Sequence, residues 1–262
     1  MTDPENSAFL ASRESRPIPR KFFHIGLGDA YRLANLPKAL QQNIEAVRDL
    51  NPGWKYKYYE EDDVEAYLAK YPDLLATYKR INPVYGAARC DFFRYVLMYH
   101  EGGVYTDIKA GLERPLDEVI RDDDQYILSH WAVRFESDAE PGIPKEGEYQ
   151  QWHIISAPRH PFLRACLWRV QQNINEYQNV GADSSGLLAV LRTTGPIAFT
   201  RAVRPLRPAS PHRLVESEKE LGLRYIFNIP NFDRIPDDEE LREMRNRYFP
   251  GHYAYQSEPL IR

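Results

Sequence analysis

The chain has 262 residues and a formal net charge of −4. This length is enough for a substantial core and fits one α/β domain. The weak negative charge argues against a general nucleic acid binder. The two cysteines, Cys90 and Cys166, are too few for a disulfide framework. We therefore expect buried free thiols and a reducing compartment.

The N-terminal sequence is polar and acidic, without the basic and then apolar pattern of a signal peptide. No apolar run approaches the length that crosses a bilayer. We therefore expect a cytoplasmic protein, with contact at the periphery of a membrane left open. Residues 1–18 are polar and predict a flexible arm. Residues 19–262 are predicted to form a single domain.

The first half of the chain alternates predicted strands and helices. Strands are predicted over residues 20–26, 54–59 and 104–108, and helices over 36–50, from 61, from 72 and over 84–101. The first strand is followed by Gly26-Leu27-Gly28, which resembles the start of a dinucleotide-binding loop. Tyr31 stands where that fingerprint needs its third glycine, so the signal is weak.

The second half predicts strands over residues 125–131, 152–157 and 223–228, and helices over 161–177, 196–203 and 237–248. Residues 136–148 are rich in acidic residues, proline and glycine and predict a long loop, which is often a functional lid. This order of elements predicts an α/β fold with a mixed central sheet and a helical C-terminal portion.

Two charged residues end the strand predicted over residues 104–108. On an extended strand Asp107 and Lys109 point to the same side, roughly 7 Å apart. Ligands of open α/β sheets bind beyond the carboxyl ends of the strands. The pair therefore predicts a site for a ribose hydroxyl and a diphosphate. The alternative is a surface ion pair that contributes under about 1 kcal/mol.

The preceding helix carries a second charged pair. Asp91 and Arg94 are three positions apart and share one helix face, in an otherwise apolar sequence. One interpretation is a structural ion pair on the helix surface or in the core. The other is a pair that lines the same cleft as Asp107 and hydrogen-bonds a sugar or a phosphate.

These segments resemble a known enzyme family. The residues that carry the resemblance are DFFRYVL at 91–97 and GGVYTDIK at 102–109, with weaker support from 18–25, 51–56, 115–117, 160–162 and 194–196. They resemble the sugar-binding region of family 32 glycosyltransferases, relatives of the yeast initiating mannosyltransferase and, more distantly, of the clostridial glucosylating toxins. The resemblance covers most of residues 17–200.

The resemblance implies a GT-A fold, a nucleotide-sugar donor and transfer with retention at the anomeric carbon. By position, it implies catalytic roles for Asp107, Lys109 and Arg94. The residues that it implies for donor binding are His24, Ile25, Asp91, Arg94, Gly103, Tyr105 and Asp107. Lys109 departs from the family, because it replaces the second aspartate of the Asp-x-Asp motif, a ligand of Mn²⁺ or Mg²⁺.

Counting charges makes this departure interpretable. A divalent ion with one carboxylate adds one positive charge beside the leaving diphosphate, and a lysine alone adds the same. Fixed positive groups there lower the barrier to transfer. We therefore expect that Lys109 replaces the metal and reduces or removes metal dependence. The competing hypothesis keeps a Mn²⁺ or Mg²⁺ ion, held by Asp107 and His252.

The predicted function is transfer of a hexose or an N-acetylhexosamine from a UDP- or GDP-sugar to an acceptor hydroxyl. The acceptor is a glycan (such as a growing surface polysaccharide), a lipid-linked sugar or a protein. The alternative is a non-catalytic module that binds nucleotide sugars or glycans and has lost its metal site. A third interpretation is a host-modifying toxin domain, although the chain lacks a large delivery region.

Overall fold

A six-stranded mixed sheet organises the molecule. The computed structural model describes residues 17–131, 141–145, 147–178, 184–227, 243 and 252–262. The strands, in chain order, are β1 (Lys21–Ile25), β2 (Lys55–Tyr59), β3 (Gly103–Thr106), β4 (Gly111–Leu112), β5 (Tyr126–His130), β6 (His153–Ser156), β7 (Arg213–Glu216) and β8 (Leu223–Arg224). The predicted mixed α/β architecture is confirmed.

The strand order in the main sheet is β2-β1-β3-β6-β5-β7. Strand β1 is parallel to β2 and β3, and β5 is parallel to β7. Strand β6 is antiparallel to both β3 and β5. A separate two-stranded ribbon pairs β4 with β8. Because β1, β2 and β3 are parallel, their carboxyl ends share one edge of the sheet.

Nine helices surround the sheet in the described part of the chain. They are α1 (Lys38–Asp49), α2 (Glu61–Leu68), α3 (Pro72–Arg80), α4 (Gly86–Glu101), α5 (Leu116–Val119), α6 (Pro161–Asn175), α7 (Gly186–Thr193), α8 (Pro196–Val203) and α9 (Ser217–Leu221). Local sequence explains several starts. Glu60 and Asp63 form a capping box at α2, and Pro72 and Pro161 occupy first-turn positions.

Helix α4 lies between the sheet and the other helices. Ten of its 16 residues are buried, including Phe92, Phe93 and Val96. It ends at Gly102, whose φ of 60° is in the left-handed region, and a Cβ there would lie 2.6 Å from the nitrogen of Pro158. Only glycine fits this turn. The chain therefore reverses at once into β3, at the centre of the sheet.

The two faces of the sheet bury different clusters. One face packs on α4, α6 and α8 around Tyr105, Tyr126 and Ile154. The other face buries Val104, Ile127 and Ile155 with Trp152. Of the two free cysteines, Cys166 is buried and Cys90 is half-buried. In the described ranges, no helix combines the length and the apolarity needed to cross a bilayer.

The structure corrects several predicted boundaries. Strand β3 ends at Thr106 and not at Ile108, because Ala110 N–H donates to the Asp107 carbonyl and closes a turn. The strand predicted over 223–228 is only two residues long and pairs with Gly111 and Leu112. Strands β4 and β7 and helices α5, α7 and α9 were not predicted.

Three predicted segments lie at least partly outside the described residues. They are the N-terminal arm, the loop over 136–148 and the helix over 237–248. The arm and the single domain that follows it stay predictions.

Candidate functional site

The carboxyl end of β3 brings four charged side chains together. Arg94 on α4 contacts Asp91 at 2.9 Å and Asp107 at 3.2 Å. Lys109 lies 3.4 Å from the other carboxylate oxygen of Asp107. The turn after β3 replaces the extended geometry of the sequence prediction, which put Asp107 and Lys109 roughly 7 Å apart. The four residues, Asp91, Arg94, Asp107 and Lys109, are called the charged cluster below.

Asp107 is the centre of the charged cluster. Its backbone N–H donates to the Trp152 carbonyl, which continues the β3–β6 ladder by one bond. Its side chain accepts a hydrogen bond of 2.8 Å from the Tyr105 hydroxyl. Burial raises the pKa of Asp107, but Arg94 and Lys109 lower it by more, so the net shift is downward. Asp107 is therefore an anion held between two cations.

Asp91 and Arg94 lie beneath Asp107. Their side chains are only 5% exposed. Arg94 donates to the backbone carbonyl and the side-chain oxygen of Gln151 at 2.8 and 2.7 Å, and Gln151 donates to Asp91 at 3.2 Å. Thr194 donates to the second oxygen of Asp91 at 2.9 Å. Burial raises the pKa of Asp91 to about 6, although Arg94 opposes this shift.

Lys109 faces the solvent side of the charged cluster. The side chains of Lys109 and Asp107 are 17% and 20% exposed, so a ligand can reach both. Burial by itself lowers the pKa of Lys109, and contacts with Tyr225 and Asp107 raise it by more, so the net shift is upward. Lys109 is therefore a fixed cation at the edge of the sheet.

The loop after β1 lies at the same edge of the sheet. Gly26 follows β1 as Asp107 follows β3, and these strands are parallel neighbours. A Cβ on Gly26 would lie 1.9 Å from the Tyr58 hydroxyl, which donates to the Tyr31 carbonyl. Glycine is therefore required at this loop by close approach of Tyr58.

His24 and Ile25, which were predicted to bind the donor, are core residues. His24 is fully buried, with its ring nitrogens 3.0 Å from the Tyr56 hydroxyl and 2.9 Å from the Thr106 hydroxyl. Burial lowers the pKa of His24 to about 3, although Asp107 opposes this shift. Ile25 is 4% exposed. Their side chains are thus occupied by packing, which leaves only their backbone for any contact with a ligand.

Two other predicted donor-binding residues have different positions. Gly103 begins β3, roughly 13 Å along the strand from Asp107. Its φ is 99°, and a Cβ at this position would lie 2.5 Å from the Lys21 carbonyl oxygen, so its role is structural. Tyr105 is 1% exposed, and the Arg94 guanidinium lies 4.7 Å from its ring centroid. Tyr105 is therefore a buried residue that contacts both Asp107 and Arg94.

The residues of the charged cluster do not fit a divalent metal ion. The described residues contain no group of three or more histidine, cysteine, aspartate or glutamate side chains arranged to hold one. Both oxygens of Asp107 already face a cation, at 3.2 and 3.4 Å. His252 caps the turn Tyr253–Tyr255, and its Nδ1 accepts from Ala254 N–H. A metal held by Asp107 and His252 stays a prediction that this geometry does not support.

A separate open cleft of about 650 Å³ lies near α8. It is lined by Pro144, Lys145, Tyr149, Arg204, Arg207, Pro208 and His212. Within the cleft, Arg207 donates to the Tyr149 hydroxyl at 2.7 Å. The lining contains no member of the charged cluster, so cavity size alone does not locate the site.

Residues 37–126 match the family described as "Glycosyltransferase sugar-binding region containing DXD motif". The chain is a relative of the glycosyltransferases that carry this region. The match includes the whole charged cluster, and the predicted resemblance to glycosyltransferases is confirmed. The assignment to family 32 stays a prediction.

Three curated fungal proteins are similar to this glycosyltransferase relative. An initiation-specific alpha-1,6-mannosyltransferase of Candida albicans is 27% identical over 217 residues, 72% of this chain and 53% of that protein. A mannosyl phosphorylinositol ceramide synthase of Saccharomyces cerevisiae is 31% identical over 168 residues, 64% and 38% of the two chains. An inositol phosphoceramide mannosyltransferase of Schizosaccharomyces pombe is 22% identical over 175 residues, 64% and 47%. The chain thus spans about half or less of their lengths.

Solved structures agree with the predicted GT-A fold. The UDP-bound glycosyltransferase domain from the YGT toxin aligns with a TM-score of 0.53 at 9% identity, over 88% of this chain and 89% of that chain. The PaToxG glycosyltransferase aligns with a TM-score of 0.50 at 15% identity, over 78% and 75%. At these identities the likeness shows the fold, which is confirmed as GT-A-like.

Three residues of the site were missed by sequence reasoning. Gln151 and Thr194 hold Asp91 and Arg94, and Tyr225 contacts Lys109 at 2.8 Å. The Thr194-Gly195-Pro196 turn is part of the family resemblance, which assigns it no role. Gln151 and Tyr225 carry no local signal, because they reach the site only through the pairing of distant strands.

Proposed function

We propose that the protein is a retaining glycosyltransferase. It transfers a hexose or an N-acetylhexosamine from a UDP- or GDP-sugar to a hydroxyl of a glycan, a lipid-linked sugar or a protein. The observation that carries this proposal is the charged cluster at the carboxyl edge of β3, where Asp107 and Lys109 are both accessible. Open α/β sheets bind ligands at this edge.

The comparisons support the class of reaction. Three similar fungal proteins are named as mannosyltransferases or as a mannosyl phosphorylinositol ceramide synthase, and one structural neighbour is UDP-bound. These names support a nucleotide-diphosphate sugar as the donor here. They also make sugar-bearing or inositol-phosphate lipids sensible acceptors for a first screen.

The reaction breaks the bond between the anomeric carbon and the diphosphate oxygen. The acceptor oxygen forms the new bond to that carbon, its proton is released, and the diphosphate leaves with the electron pair. Negative charge grows on the leaving oxygen, so a fixed cation beside it lowers the barrier. In this proposal Lys109 is that cation, Arg94 fixes Asp107, and Asp107 contacts the ribose or the sugar.

The charge of the site supports a reaction that needs no metal ion. With both carboxylates ionised, Asp91, Arg94, Asp107 and Lys109 together are neutral. A site with an aspartate at position 109 and a divalent ion would also be neutral. We propose that Lys109 supplies the charge that the ion supplies in sites with two aspartates, and that catalysis persists without metal.

Turnover of a panel of UDP- and GDP-sugars, assayed with Mn²⁺ and in excess EDTA, tests this proposal. We expect one donor to react at the same rate in both conditions. Lys109→Asp should be inactive in EDTA and regain activity with Mn²⁺. Strict dependence of the wild type on Mn²⁺ would contradict metal-free catalysis and make His252→Ala the next variant to test.

The same panel distinguishes the enzyme from a binding module. Tight nucleotide-sugar binding without turnover, against any acceptor or water, would favour the non-catalytic alternative. Binding of the true donor also raises the unfolding temperature by mass action, which identifies it before the acceptor is known. We propose the cytoplasm as the location, with peripheral membrane contact if the acceptor is a lipid.

A further inference from the structure

The ammonium group of Lys109 is held by an aromatic residue from far along the chain. Lys109 donates to the Tyr225 hydroxyl at 2.8 Å, and its Nζ lies 4.1 Å from the centroid of the Tyr225 ring. One tyrosine thus offers both a hydrogen-bond acceptor and a π face to the same cation. Asp107, at 3.4 Å, also contacts this ammonium.

The backbone fixes Tyr225 opposite Lys109. Strand β8 pairs Arg224 with Gly111, and Phe227 N–H donates to the Lys109 carbonyl at 2.9 Å. A Cβ on Gly111 would lie 2.9 Å from the Cα of Phe227, so glycine is needed for this close approach. Tyr225 is therefore placed beside Lys109 by main-chain pairing on both of its sides.

The ring of Tyr225 is itself supported by two tryptophans. It meets Trp131 edge to face at 5.2 Å between centroids and Trp152 at 5.4 Å. The carbonyl of Trp152 also accepts from Asp107 N–H at 2.8 Å. The contact between Tyr225 and Trp152 therefore connects the ammonium of Lys109 with the strand end that carries Asp107.

We propose that Tyr225 is a positioning residue that aims the Lys109 ammonium at the leaving diphosphate. This inference rests on the proposed function of the charged cluster. A lysine has four rotatable side-chain bonds, so ordering its ammonium costs conformational entropy. The contacts with Tyr225 already order the ammonium before the donor binds. Without Tyr225, the ammonium loses its hydrogen-bond acceptor and its aromatic contact, and the charge is less ordered where the diphosphate leaves.

Tyr225→Phe tests the hydroxyl contact and keeps the ring between the tryptophans. We expect kcat in EDTA to fall about tenfold, the usual size of a lost hydrogen bond to a charged group. The affinity for UDP or GDP without metal, measured by calorimetry, should fall with it. Tyr225→Leu removes both contacts, and we expect a loss of about a hundredfold.

The control is a tyrosine of similar burial that is remote from the charged cluster in its contacts. The Tyr177 hydroxyl donates to the Ser184 carbonyl at 2.8 Å, so Tyr177→Phe removes a comparable bond. It should leave kcat and nucleotide affinity unchanged. Unfolding temperatures of all variants separate a positioning effect from a loss of fold, and Tyr225→Phe remains informative if Tyr225→Leu does not fold.

A double-mutant cycle decides whether Tyr225 acts through Lys109. In the Lys109→Met background, Tyr225→Phe should change kcat by less than about twofold, because the cation it positions is gone. Equal effects of Tyr225→Phe in both backgrounds overturn the inference, as does an unchanged kcat in both Tyr225 variants. Either result leaves the proposed function intact when the wild type turns over, whereas a wild type without turnover or nucleotide binding overturns both.

Discussion

The charged cluster has two halves that differ in exposure. Asp91 and Arg94 on α4 are 5% exposed and have four neutral partner groups from Gln151 and Thr194. Asp107 and Lys109 are 20% and 17% exposed and face the open edge of the sheet. The difference indicates a division of roles, in which the enclosed pair holds the geometry and the exposed pair contacts the ligand. Variants in the two halves should therefore fail in different assays.

The largest expected effect is in the enclosed half. Arg94→Met leaves Asp91 and Asp107 without their shared cation, and removing one partner of a buried ion pair costs about 3–5 kcal/mol. We expect urea unfolding to show this loss together with loss of activity. Arg20→Met is the control, because Arg20 pairs with Asp117 on the surface and such pairs contribute under about 1 kcal/mol. Unchanged stability of Arg94→Met would contradict the structural role that we assign to the enclosed pair.

In the exposed half we expect a loss of catalysis without a loss of fold. Lys109→Met should lower kcat by about a hundredfold or more, since a preorganised charge at the leaving group is removed. The unfolding free energy should change by less than it does in Arg94→Met, because Asp107 keeps its contacts with Arg94 and Tyr105. Lys57→Met removes an exposed pair with Asp63 and is the matched control. Full activity of Lys109→Met would show that Lys109 is not the cation that stabilises the leaving diphosphate.

The buried histidines should make the stability of the protein depend on pH. Burial lowers the pKa of His24 and of His153 to about 3, against 6.5 for an ordinary histidine. The unfolded chain therefore binds more protons between pH 6.5 and 3, so their contribution to stability is lost as the pH falls through this window. Each contributes a slope of up to about 1.4 kcal/mol per pH unit.

The matched measurement is urea unfolding from pH 7 to pH 4.5. His24→Gln offers its amide to Tyr56 and Thr106 and cannot take up a proton. Its stability should depend less steeply on pH than that of the wild type, by the slope of one histidine. Identical slopes for the two proteins would mean that His24 titrates normally in the folded state.

The smallest expected effect links the two halves. Tyr105 donates to Asp107 and stacks beneath Arg94, so Tyr105→Phe removes one hydrogen bond to a carboxylate and keeps the ring. We expect kcat/KM to fall about tenfold, with a stability loss of about 1–2 kcal/mol. A stability loss alone, with normal kcat/KM, would separate Tyr105 from the reaction.

The sequence predicted the elements that have strong local patterns. Helix α4 was readable from its apolar spacing and from Gly102, and β1, β2, β5 and β6 from short apolar or aromatic runs. Asp91 and Arg94 were readable as a pair because helical spacing alone places them together. Lys109 is identifiable from the sequence because it departs from the Asp-x-Asp motif of the family that the chain resembles.

The remainder depends on tertiary contacts that no local pattern records. Strand β3 ends two residues early because a turn bond at Asp107 replaces the ladder. Gln151, Thr194 and Tyr225 reach the site from 57, 103 and 116 positions away from their partners. His24 looked available for binding, and only the packing of three strands shows that both of its ring nitrogens are used.

The strand order determines whether this protein can be divided into smaller folding units. Residues 37–126 contain β2, β3 and β4, but β2 pairs with β1, β3 pairs with β1 and β6, and β4 pairs with β8. Not one of these three strands pairs with another inside the matched region. The segment that carries the recognisable signature is therefore not a transplantable module. Expressed alone, it would expose every edge that the flanking chain covers, and it should aggregate.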